Sequence, residues 1–144
     1  QKDSAAQIIA LFQRYRISPD LITIEVTEEQ AFSNADTSQQ NLDALRAFGC
    51  AIAIDDFGTG YANYERLKHL QADIIKIDGC FVRDILTDPL DAIMVKSIVE
   101  MARAKQMSVV AEYVESEPQK ARLLELGVNY LQGYLVGKPQ PLGE

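Results

Sequence analysis

The chain has 144 residues, 47% hydrophobic and 24% charged, which excludes a disordered tail or a low-complexity repeat and fits one domain with its own core. With 14 Lys and Arg against 21 Asp and Glu the formal charge is −7, a field that repels polymeric nucleic acid. No apolar run approaches the roughly 20 residues that span a bilayer and no signal-peptide pattern opens the chain, so a cytoplasmic segment without membrane contact is expected, whether or not its parent is membrane-anchored. Cys50 and Cys80 lack CxxC spacing and a neighbouring His, which predicts two buried, reduced thiols rather than a disulfide or a zinc site.

Two periodicities alternate along the chain. Residues 4–16 carry Ile8, Phe12 and Tyr15 at helical spacing until Ser18, Pro19 and Asp20 break it, and residues 21–27 read as a strand. Thr37 and Gln40 form a capping-box pair ahead of a helix through Leu42, Leu45 and Phe48 that Gly49 stops; residues 50–54 follow as a strand. A short helix over 64–70 leads to a strand at 73–78. Asp88 and Pro89 are an N-cap and first-turn pair for a helix burying Met94, Val95, Ile98, Val99 and Ala102, before a fourth strand at 109–111. Ser116, Pro118 and Gln119 repeat that arrangement for a helix through Leu123 and Leu124, ended by Gly127, and residues 130–134 form a fifth strand. His69 is expected at the surface, and Tyr61 and Tyr64 as packing residues, with base stacking as their other use.

Strands separated by helices imply parallel neighbours and an α/β fold. At about 30 residues per unit the spacing is that of a (β/α)8 barrel, whose full length is roughly 250 residues. The five strands are therefore either an open sheet or the C-terminal part of a TIM-like barrel without its N-terminal strands.

Polar residues recur near the C-terminal ends of these strands: Glu25 and Glu28, Asp55 and Asp56, Lys76 and Asp78, Glu112 and Glu115, then Gln132. That edge carries the active site of a parallel α/β fold. The side-chain period of two sets Lys76 and Asp78 opposite Ile75 and Ile77, and Glu25 and Thr27 opposite Ile24 and Val26. Like charges held so close repel, and divalent cations relieve the cost; oxygen donors without paired His or Cys suit Mg2+ or Mn2+. A carboxylate-held metal turns an acidic pocket into a phosphate site, which points to phosphodiester hydrolysis. An acidic rim without a metal is the plainer alternative. Within Asp55-Asp56-Phe57-Gly58-Thr59-Gly60-Tyr61, the paired carboxylates suit two ions, and Gly58 and Gly60 allow a tight loop beside them.

This stretch, together with Glu25-Val26-Thr27-Glu28, Lys76-Ile77-Asp78 with Phe81-Val82, Val110-Ala111-Glu112 with Val114-Glu115, and Gln132-Gly133-Tyr134 with Lys138-Pro139, resembles in order and spacing the motifs of the EAL domain. That family is the cyclic di-GMP phosphodiesterase module of bacterial signalling proteins, and the resemblance covers nearly the whole chain. It implies the last five parallel strands of a (β/α)8 barrel that has one antiparallel strand. It also implies that Glu25 and Asp55 bind one Mg2+ or Mn2+, with Asp55 bridging to a second ion held by Asp56 and Glu112. By the same resemblance Lys76 orients the attacking water, Gln132 lines the pocket, Glu115 lies on the substrate side with Asp78 near it, and Glu28 anchors the loop that starts at Phe57 and Gly58 and continues through Thr59 and Gly60. The implied partners are cyclic di-GMP, a second copy as homodimer or edge-paired oligomer, and a GGDEF or sensory domain in the parent.

Two departures from the family pattern stand out. Tyr113 replaces the usual Gly of Ala-Glu-Gly, adding bulk that either restricts the pocket or packs outside it. The Glu-Ala-Leu signature and the upstream Asn strand, which supply two ligands of the first ion in the family, do not occur in these residues, so this segment alone is expected to be inactive while its parent hydrolyses cyclic di-GMP. A degenerate, non-catalytic cyclic di-GMP receptor or an interaction scaffold is the alternative. An enolase-like barrel would fit the metal but not the Phe-Gly-Thr-Gly loop.

Overall fold

The computed structural model describes residues 4–31, 36–58, 68–69, 71–133 and 137–141. Helix α1 (Ser4–Tyr15) leads through a 3-10 turn (Pro19–Leu21) into β1 (Thr23–Thr27), followed by α2 (Glu28–Ala31), α3 (Asp36–Phe48) and β2 (Ala51–Phe57). Beyond these lie β3 (Ile74–Ile77), α4 (Gly79–Arg83), α5 (Pro89–Ala104), β4 (Ser108–Ala111), α6 (Glu117–Leu126), β5 (Tyr130–Gly133) and β6 (Gly137–Pro141). The strands form one sheet in chain order, β1 to β5 parallel and β6 antiparallel to β5.

That unbroken order decides between the two architectures. A doubly wound open sheet reverses direction partway to cover both faces; here every right-handed crossover steps the same way, which stacks the helices on one face and leaves the other for the inside of a barrel. The fold is an arc of a (β/α)8 barrel. Ile52, Ile54 and Phe57 of β2, Ile75 and Ile77 of β3, Val109 and Ala111 of β4 and Leu131 of β5 are all shut from water on the helix side. They meet Val95, Ile98, Val99 and Ala102 of α5 and Leu123 of α6 in one cluster, each large side chain contributing about 1.5 to 3 kcal/mol of burial. A second cluster joins Ala5 and Phe12 of α1 to Leu45 of α3 and to Cys50.

The helix ends follow the chemistry of their residues. Asp88 accepts from the Leu90 N–H at 2.9 Å, with Pro89 in the first turn. Ser116 accepts from Gln119 N–H at 3.2 Å while the Gln119 side chain reaches back to accept from Glu115 N–H at 2.7 Å, and Gly127 closes α6 in the left-handed conformation, φ +94°.

Several expectations change. Helix α3 is already formed at Asp36, so Thr37 and Gln40 lie inside it rather than capping it. Met94 is 38% exposed, because the inward stripe of α5 runs through Ala92, Val95, Ile98, Val99 and Ala102. Cys50 is buried but Cys80, on α4, is exposed. Residues 68–69 are helical and His69 is exposed; the rest of the helix expected over 64–70, with Tyr61 and Tyr64, lies outside the described residues. The antiparallel strand β6 takes in Pro139 and Pro141, residues that argue against a strand except at a sheet edge.

Candidate functional site

Alternation along the strands sorts side chains between the helix layer and the concave face. On β1, Thr23, Glu25 and Thr27 are exposed while Ile24 and Val26 are half-buried; on β3, Lys76 faces away from the core that holds Ile75 and Ile77. A groove of about 300 Å3 on the concave face is lined by Thr23, Glu25, Ala53, Ile74, Lys76, Val110 and Tyr130.

Lys76 is the hub of this face, only 9% exposed. Its ammonium stands 3.1 Å from Glu25 Oε1 and 3.8 Å from Glu112 Oε2, joining residues of β1, β3 and the end of β4 at one point. Burial alone would lower its pKa. The hydrogen bond to Glu25 and the charges of Glu112, Glu25 and Asp55 outweigh that, so the net shift is upward and the lysine stays an ammonium. Such a group donates hydrogen bonds and does not act as a base.

Strand β2 carries the Asp pair on an irregularity. Ile54 registers with Ile75 but Phe57 with Ile77, three steps against two. With Ile54 and Phe57 both buried in the helix-side core, the strand fits two residues, Asp55 and Asp56, where strict alternation allows one. Asp55 is half-buried; the Asp56 side chain lies outside the described residues, as do Thr59 and Gly60.

Just past the bulge, Glu28 at the head of α2 is 4% exposed and its Oε2 accepts from Gly58 N–H at 3.2 Å. Gly58 has φ +102°, and a Cβ there would stand 2.6 Å from the Phe81 ring, so both backbone and space demand glycine.

Other residues of the expected set are placed differently. Asp78 caps α4, accepting from Cys80 N–H at 2.8 Å. Glu115 is exposed, its N–H bound to Gln119. Gln132 has a buried Oε1 without a hydrogen-bond partner among the described residues, an acceptor available to a ligand. Glu25, Lys76 and Glu112 are thus in contact, Asp55 acts on Lys76 through its field, and Asp78 and Glu115 sit farther along the same edge. Sequence reasoning missed Gln119: buried, it accepts from Glu115 N–H and donates from Nε2 to the carbonyls of Val82 and Arg83, at 3.4 and 3.5 Å. Only its capping-box spacing was visible.

A family model for the EAL domain matches residues 1–139. The chain belongs to the EAL domain family. It is 64% identical over its whole length to a probable cyclic di-GMP phosphodiesterase, PdeA, of Escherichia coli K12, and covers 20% of that protein. Among solved structures it is similar to the PaMucR phosphodiesterase in complex with c-di-GMP, with a TM-score of 0.85 and 40% identity, covering 97% of this chain and 57% of that one. It is also similar to Klebsiella pneumoniae BlrP1 in a manganese and cyclic di-GMP complex, with a TM-score of 0.87 and 34% identity, covering 96% of this chain and 36% of that one. BlrP1 is known in a calcium and cyclic di-GMP complex as well. The EAL chain described here therefore spans about a fifth of the length of the curated relative.

The donor set of this EAL chain suits a hard cation. Glu25, Asp55 and Glu112 offer oxygen only, and the buried Gln132 oxygen is a further neutral acceptor on β5. Among the described residues no three acidic, His or Cys side chains are gathered at ligand distance, and the Lys76 ammonium pairs with both Glu25 and Glu112.

The residue after Glu112 is unusual for its backbone. Tyr113 has φ +62°, in the left-handed region that costs a bulky side chain about 1 kcal/mol or more. Glycine, the usual residue of the EAL motif here, adopts it freely. The ring lies over Gly79, the residue after Asp78, and remains 64% exposed.

Proposed function

We propose that residues 1–144 are the C-terminal portion of an EAL domain whose intact site hydrolyses cyclic di-GMP to the linear dinucleotide with two divalent cations, Mg2+ or Mn2+. The observation that carries this is the meeting of Glu25 of β1, Lys76 of β3 and Glu112, the residue after β4, at one point of a barrel arc.

In this reading Glu25, Asp55, Asp56 and Glu112 hold the ions. Ions bound there would supply Lewis acidity, making water a better nucleophile and offsetting charge on the entering and departing oxygens of an in-line displacement. Lys76, kept protonated by its carboxylate neighbours, donates a hydrogen bond that orients the attacking water. Gln132 offers its buried oxygen to the same pocket, and Asp78 and Glu115 border the substrate. Glu28 fixes the start of the loop after Phe57 through Gly58, with Thr59 and Gly60 completing that loop. In this reading the site works in the cytoplasm, in a parent with a GGDEF or sensory domain, as a homodimer or edge-paired oligomer.

The test is turnover of cyclic di-GMP by the intact protein that carries this chain. With Mg2+ or Mn2+ the wild type opens the ring, and Glu25→Ala and Lys76→Ala each lower kcat on the order of 100-fold or more. The 144 residues alone fall short by orders of magnitude, since the Glu-Ala-Leu glutamate and the Asn are not among them. Binding without turnover under either metal would overturn the proposal in favour of a receptor.

A further inference from the structure

Tyr113 sits where two strands dictate its backbone. On one side Glu112 N–H donates to Ile77 O at 3.4 Å, and on the other Val114 N–H donates to Gln132 O at 3.1 Å. The left-handed φ of +62° is therefore set by the ends of β3 and β5, and not by a free loop. The ring is seated by one neighbour: a Cβ on Gly79 would stand 2.4 Å from Tyr113 Cδ2 and 3.0 Å from its Cβ, so only glycine admits the ring there.

The chain thus holds a bulky residue in a conformation that disfavours it, and the ring wins no core burial in return, remaining 64% exposed. An open aromatic face, seated over Gly79 at the strand-end rim that also carries Asp78 and Glu112, has the chemistry to take up a flat heteroaromatic base by stacking. We infer that Tyr113 is a substrate-binding residue whose ring stacks on a purine base of the dinucleotide, a contact that glycine at this position does not provide. This rests on the phosphodiesterase reading above.

The test uses the intact protein and cyclic di-GMP with Mn2+. Tyr113→Gly raises KM about tenfold or more, within the range of base–aromatic stacking, while its thermal midpoint is no lower than that of the wild type because the backbone strain is relieved. Tyr113→Phe keeps KM within about twofold, since stacking needs the ring and not the hydroxyl. Gly79→Ala, which suits the helical start of α4 but displaces the ring, raises KM in the same direction, and the double variant is no worse than Tyr113→Gly alone. An unchanged or lower KM in Tyr113→Gly, with an active wild type, overturns this inference alone; a wild type that neither binds nor opens the dinucleotide overturns the phosphodiesterase reading and this inference with it.

Discussion

Cys80 shows how partial burial and an acidic neighbour together damp a thiol's reactivity. The residue is exposed, yet its thiol is pushed up to about 11 from 9.0, by partial withdrawal from water and then by the Asp78 carboxylate that accepts its hydrogen bond. A thiol shifted from 9.0 to about 11 presents about 100-fold less thiolate at neutral pH, and the thiolate is the nucleophile. Iodoacetamide at pH 7.5 is expected to label Cys80 far more slowly than an unperturbed thiol, with the rate climbing through pH 11. Asp78→Asn keeps a good cap for α4 and speeds labelling; equal rates in wild type and variant would show that the carboxylate is not the cause. The spacing of residues 78 and 80 was visible in the sequence, but the sequence gives no sign that the short helix α4 turns the sulfur outward. Glu25 and Lys76, by contrast, were legible from the strand period of two, because a parallel strand has only two faces and the apolar one was plain, and Glu112 from its place just past the end of a strand.

At the level of elements, the long periodic helices and the parallel strands were read from spacing and caps, while α2 and α4, of 4 and 5 residues, are too short to show a period. Strand β6 was hidden by its prolines. The β2 bulge was equally invisible, since it depends on what lies opposite in β3. The joint between β4 and β5 is the least forgiving: a Cβ on Gly133 would stand 2.3 Å from Val114 N and 2.7 Å from Val114 O, backbone atoms that cannot swing aside. Gly133→Ala must break the Val114 to Gln132 hydrogen bond, and it is expected to cost about 3 kcal/mol or more. Ser116→Ala removes one capping bond of α6 and should cost about 1 kcal/mol. Thermal midpoints of the two variants check the ranking, and a Gly133→Ala protein as stable as Ser116→Ala would refute the backbone contact.

For the whole molecule, strand order carried the decision that composition left open, since a sheet that never reverses curls toward closure. Among the described residues β1 pairs only with β2 and so is an edge strand, the position at which sheets add a further strand. The 144-residue chain by itself is therefore expected to self-associate, its apparent mass in light scattering rising with concentration; a constant monomer mass from micromolar to millimolar would count against edge pairing. One buried amide limits how the rim at the strand ends can move. Gln119 grips the exit of α4 and the approach to α6 at once, stitching two crossovers that are remote in sequence. The segment from Glu112 to Glu115 is thus held in one shape in advance, so that under the proposed function little ordering entropy is left to lose there when a nucleotide docks.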